Sequence, residues 1–260
     1  MKYMHFNSSC AYAALAMLLE TAGMDVEDTD IALEMHLPYL FAREGDCFLS
    51  GPMLQTPQWF DLYLQPHGLR FCETAVNAAE LPNVLRQTGP VMLGLGGHAV
   101  MFRNCSAGMY RFYNPKWEEG TEQEELCLSE AELTAQLPQT VYLGGLQAGK
   151  KDTGTTKSHL LRSAAVMEQL EAALRSFYTA EQTAQSQKAA MNALFRPILL
   201  DGVTMLELIG EAQLQKRLVK VQQAYLQTFR EPGAEMPLEE LWASMAAYRE
   251  LILKKACSML

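Results

Sequence analysis

Residues 7–20, NSSCAYAALAMLLE, set one cysteine at the start of an apolar helical stretch. Ser8 and Ser9 are good N-cap residues, and Ala11, Leu15, Leu18, Leu19 and Ala22 recur at helical spacing until Gly23 ends the run. Cys10 therefore falls in the first turn, where unpaired backbone N–H groups and the positive end of the helix dipole stabilise an anion. A thiolate in that position has a pKa below the free value of about 8.5, and the thiolate is the nucleophilic form. The competing reading is structural, because a free cysteine commonly packs as a small buried hydrophobe.

A cysteine nucleophile needs a base to take its proton and a group that orients the base. His98 opens an apolar strand directly after GLGG, so its ring projects at a strand end while the Gly96–Gly97 backbone can approach a bound chain. Asn114 follows sixteen residues later, in YNPKW at the end of the next strand. Its amide oxygen there would accept the imidazole N–H and hold the tautomer. Each has a plain alternative, a half-exposed strand-end imidazole for His98 and an ordinary turn residue before proline for Asn114. Trp117 follows closely enough to pack over the orienting amide and shield the His98 contact from water. The other histidines carry less: His5 reads as a tail residue packed on the core, and His36, His67 and His159 have no partner at metal-ligand spacing. Cys47 lies beside Asp46, whose charge raises a thiol pKa and argues against reactivity.

The elements that must position these residues are α+β in character. Beyond the Cys10 helix come a helical stretch at 25–37, a Gly/Pro-punctuated passage at 38–57, a helix over about 57–65, a strand at 69–74 and a helix at 78–87. Strand-like segments follow at 90–95, 98–104 and 109–114, the last two joined by a hairpin at 105–108, then 124–129, a helix at 129–137 and a strand at 140–146. The polar, Gly/Thr-rich stretch 147–156 reads as a linker. After it strand signals almost vanish, and 159–182, 186–201, 204–230 and 237–260 are amphipathic, as in a three- or four-helix bundle. The expected division is a catalytic domain at 1–146 and an all-α helical domain at 157–260.

Composition narrows the function classes. Residues 1–149 hold 7 Lys+Arg against 18 Asp+Glu, which argues against nucleic acid as the partner of that half and suits a cationic substrate. The acidic run 117–125 reads as a solvated loop. Six cysteines show no CxxC pair and no zinc spacing, so no metal or other cofactor is expected and the thiols are expected reduced. Nothing resembles a membrane span or a signal peptide, and a cytoplasmic protein without membrane contact is expected.

The helix-opening Cys10 in CAYAALAML, followed by GGHAVMF and YNP, resembles the papain-like cysteine peptidases in their short bacterial form, the C39-like peptidases that cut leader peptides after paired glycines. The likeness spans about residues 1–146. It implies a papain-like domain of an N-terminal helix plus antiparallel sheet, with Cys10 as nucleophile, His98 as general base and then acid, and Asn114 as orienting residue. Gly96, Gly97 and Trp117 would then border the substrate. One departure is clear: the family's oxyanion glutamine, about six residues before the cysteine, is replaced here by Met4, and Asn7 with the Cys10 backbone N–H would have to serve. The expected activity is hydrolysis of a peptide or related amide through a thioester. A looser likeness to butirosin-type acyltransferases implies transfer from an acyl-carrier thioester to an amine, and the missing glutamine also suits a degenerate domain that binds a peptide or partner without cutting it. The helical domain would supply one wall of the substrate site, a partner surface or a homodimer interface.

Overall fold

The computed structural model describes residues 2–152, 156–180, 183–231 and 234–259. The chain divides into two compact units, Met1–Glu34 with Gln55–Thr153 and Met35–Leu54 with Gly154–Leu260. Residues 35–54, expected within the first domain, are thus grouped with the helical region. The expected linker also begins later than 147, because β8 (Thr140–Ala148) runs into it and the Gly149 N–H is bonded to the Gly68 carbonyl at 2.9 Å. Its residues 153–155 lie outside the described part of the chain.

In the first unit, helix α1 (Cys10–Thr21) buries every residue from Ala11 to Leu19, as a helix apolar all round must. It is followed by α2 (Asp28–Glu34), α3 (Pro57–Leu64), β3 (Leu69–Asn77), α4 (Leu81–Leu85), β4 (Val91–Leu95), β5 (His98–Ser106), β6 (Met109–Tyr113), β7 (Glu125–Ser129) and α5 (Glu130–Ala135), with β8 last. The labels β1 (Phe41–Glu44) and β2 (Cys47–Ser50) belong to a hairpin of the second unit. The six strands of the first unit form one antiparallel sheet in the order β3-β8-β4-β5-β6-β7.

Each face of that sheet has its own core. Leu93, Leu95, Val100, Phe102, Tyr110, Phe112, Val141 and Leu143 alternate inward on one side and close against Leu81 and Leu85 of α4 and Leu133 of α5. The other side carries α1 and α3, joined through Tyr12, Phe60 and Phe71 with ring centroids 5.5 and 4.9 Å apart in succession. Gly144 of β8 is required there, since a Cβ would stand 2.1 Å from the Phe71 ring.

The second unit is helical apart from β1 and β2. Its long helices are α6 (Thr156–Thr179), α9 (Ala212–Thr228) and α10 (Leu238–Cys257), with α7 (Ala184–Ala190) and α8 (Val203–Leu208) between α6 and α9. Buried positions recur every three or four residues: Leu160, Ser163, Met167, Leu170 and Leu174 on α6, Leu214, Leu218, Val221 and Tyr225 on α9, and Leu241, Met245, Tyr248 and Ile252 on α10. The expected helix at 186–201 widens into π-helical turns at Met191–Phe195 and Pro197–Gly202. Pro197 causes this locally, because its ring cannot donate an N–H and crowds the preceding turn. The segment 35–54 is tied in by polar bonds: the Phe41 N–H donates to Ser163 Oγ at 2.9 Å, and Tyr248 Oη donates to the Pro38 carbonyl at 2.7 Å. No single helix among the described residues is long and apolar enough to cross a membrane.

Candidate active site

Cys10 is the first residue of α1, delivered by a tight turn over 6–9. The Ser9 N–H bonds back to the Phe6 carbonyl at 3.2 Å, and Ser8 takes a left-handed φ of 60°, which is strained for a residue with a side chain. Ser9 is the cap residue by position, but its hydroxyl makes no capping bond to the helix. The turn is instead braced from outside, with Gln55 Nε2 donating to the Ser8 carbonyl at 2.6 Å. Nothing in the local sequence signals that brace.

His98 is brought to the cysteine by a two-residue hairpin. Leu95 pairs with His98, and Gly96 and Gly97 between them have φ of 59° and 83°, the left-handed pair that such a turn demands. The glycines therefore act first as the turn that starts β5 at His98. His98 Nε2 lies 2.6 Å from the Pro115 carbonyl oxygen. A carbonyl only accepts, so Nε2 carries the hydrogen, and Nδ1 is the ring nitrogen left for the hydrogen bond with the Cys10 thiol.

The electrostatics of the pair favour charge separation. Burial pushes the Cys10 thiol up, but the His98 hydrogen bond, the Ala99 and Ala11 backbone N–H groups and the imidazole charge outweigh it, so its pKa is lowered. His98 is raised, first by its bond with Cys10, against the cost of burial, with help from the Pro115 carbonyl and from the charge of Glu122. The acidic loop expected to be merely solvated thus acts on the imidazole. The two shifts run in opposite directions, each caused in part by the other group, with a backbone carbonyl behind the ring.

No protein-family model and no curated protein matches the chain.

The third expected member of the site is corrected. Asn114 does not hold the ring: its Nδ2 donates to the Gln123 carbonyl at 2.8 Å and its backbone N–H to the Glu124 carbonyl at 2.9 Å. The side chain closes the loop 114–124, and that loop sets the next carbonyl, Pro115, on His98. Trp117 is 40% exposed, and among the described residues no hydrogen bond or ring contact joins it to Asn114 or His98. Asn7 lies half-buried in the turn before α1. His5 is engaged elsewhere, its Nδ1 2.5 Å and its backbone N–H 2.9 Å from the two carboxylate oxygens of the fully buried Asp28.

A cleft of about 240 Å³ adjoins the pair. Ala11 and Ala99, whose N–H groups face the Cys10 sulfur, line it together with Gln55, Glu73, Met92, Gly94 and Tyr142 among others. Among the described residues no group of three or more His, Cys, Asp or Glu side chains is placed to hold a metal ion.

Proposed function

We propose that the first unit is a cysteine hydrolase of papain-like type, cleaving a peptide or related amide with Cys10 as nucleophile and His98 as proton carrier. The observation that carries the reading is the Cys10–His98 hydrogen bond, with the ring fixed by the Pro115 carbonyl and the thiol and imidazole pKa values moved in opposite directions.

The thiolate attacks the carbonyl carbon, a C–S bond forms, and the carbonyl electron pair moves to oxygen. The oxyanion donors in this reading are the Cys10 backbone N–H, which has no partner within the helix it opens, and the amide of Asn7 in the preceding turn. Collapse of this intermediate breaks the C–N bond, and the leaving nitrogen takes the Nδ1 proton of His98. The thioester on Cys10 is then attacked by water, which gives a proton to Nδ1. The C–S bond breaks, releasing the acid and restoring the pair.

The test is to mix the protein with a nitrophenyl ester of an N-acyl glycine and follow the intact mass. An acyl adduct on Cys10, absent in Cys10→Ala, slowed about 100-fold or more in His98→Ala and lost in water alone, is the expected result. An adduct that leaves only when an amine is added contradicts hydrolysis and assigns acyl transfer. Absence of any adduct contradicts the nucleophile and assigns a binding module.

A further inference from the structure

The cleft beside Cys10 is built on one face of the sheet, and strand register explains its shape. Phe71 and Glu73 on β3, Tyr142 and Gly144 on β8, Met92 and Gly94 on β4 and Ala99 on β5 share that face, because Glu73 pairs with Gly144, Met92 with Gly144 and Gly94 with Ala99. The cleft runs across the strands from Ala99, next to the Cys10 sulfur, to Glu73. Its floor is bare at Gly94, where a Cβ would meet nothing within 4 Å, while the Phe71 ring covers Gly144. Phe71 and Met92 give it apolar walls.

Its far end is anionic and aromatic. Glu73 is exposed, and among the described residues no Lys, Arg or His pairs with it. Partial burial raises the pKa of its carboxyl. Tyr142, 58% exposed, is opposite Ala75 and so diagonal to Glu73 on the same face, with backbones about 7–8 Å apart. A carboxylate beside an open aromatic face is suited to an ammonium group, which gains from both.

We infer that this cleft is a subsite for a primary alkylammonium group on the substrate, with Glu73 as counter-ion, Tyr142 as aromatic wall and the apolar channel over Gly94, beside Phe71 and Met92, holding the alkyl stem. The inference rests on the hydrolase reading of Cys10 and His98 and names the substrate class for it. Strands about 4.8 Å apart put β3 about 14 Å from β5. That span exceeds the reach of the acylated residue's own side chain, so the ammonium belongs to the residue before it, as in a Lys-Gly acyl group.

The test uses two Cys-directed probes, acetyl-Lys-Gly and acetyl-norleucyl-Gly chloromethyl ketones, which differ in the terminal ammonium, with peptide mass spectrometry reporting Cys10 alone. The lysine probe is expected to alkylate Cys10 about five- to tenfold faster, and Glu73→Gln to abolish the preference while leaving alkylation by iodoacetamide unchanged. Butylamine that slows the norleucine probe in the wild type but not in Glu73→Gln would extend the site to free amines. Its failure to do so, with the lysine preference intact, would confine the site to a substrate side chain. Equal rates for the two probes, or a preference that survives Glu73→Gln, would overturn the inference while fast iodoacetamide labelling of Cys10 keeps the hydrolase reading. Iodoacetamide labelling of Cys10 no faster than that of the other five cysteines would overturn the reading, and the inference with it.

Discussion

The orientation of His98 rests on a main-chain oxygen, and this separates two residues that look equivalent in sequence. Asn114 and Pro115 are neighbours, yet only the Pro115 carbonyl, 2.6 Å from Nε2, touches the ring. Asn114→Ala should therefore leave the rate of Cys10 alkylation within about threefold of wild type. Its cost should appear as stability, about 1 kcal/mol for the lost bond to the Gln123 carbonyl, read from the denaturation midpoint. A fall of about 100-fold in Cys10 reactivity would instead put the Asn114 side chain behind the imidazole. The sequence could show Cys10 and His98, because a helix start and a strand start after two glycines are local patterns. It could not show Pro115, Ala99 or Ala11, whose contributions are backbone groups common to every residue.

The elements divide in the same way between local and distant causes. Helix α1, the β4–β5 and β5–β6 hairpins and the amphipathic helices α6 and α10 follow from periodicity and glycine placement, and they are where the sequence leads one to expect them, whereas the single stretch expected at 204–230 is broken at Gly210, φ 73°, into α8 and α9. The hairpin β1–β2 was hidden in the Gly/Pro-punctuated passage 38–57. Its strands have four residues each, too few for an alternation to stand out, and its only local mark is Gly45 at φ 59° in the turn. The π-helical turn at Pro197–Gly202 holds a further feature with no sequence signature, the buried Asp201, which accepts from Ser50 Oγ at 2.6 Å and lies 3.7 Å from Arg196 Nε. Burial, opposed by Ser50 and Arg196, pushes its carboxyl up to about 6. In the unfolded chain it titrates near about 3.9, so the linked stability is full below about pH 4 and is lost as pH rises through about 6. Asp201→Asn, neutral throughout and able to accept the same Ser50 bond, should exceed wild type at pH 8 by roughly 1–3 kcal/mol in chemical denaturation. The gain should shrink toward pH 4, and an equal difference at both pH values would show that Asp201 is not held against its ionisation.

At the scale of the whole chain, the composition change after residue 146 marks where strand signals stop, but it misses the interleaving of the two units. Met35–Leu54 is grouped with the helical unit through contacts made by Ser163 and Tyr248, more than a hundred residues later, and such pairings leave no local trace. The charge division acquires a meaning here, since the acidic half contains both the Glu122 charge that favours the imidazolium and the Glu73 end of the cleft. The six cysteines, all free, provide five internal standards for the central claim. That claim is the thiolate–imidazolium pair, and the pH dependence of iodoacetamide alkylation, followed cysteine by cysteine in the intact chain, tests it most directly. A lowered thiol pKa means that Cys10 keeps its thiolate at pH values where ordinary cysteines, titrating near about 8.5, are protonated. Cys10 should therefore react faster than the other five below pH 7 and lose reactivity only as pH falls through its lowered pKa. In His98→Ala its profile should move up toward that of an ordinary thiol. A Cys10 profile that coincides with those of the other five cysteines, or that does not move in His98→Ala, would contradict the account.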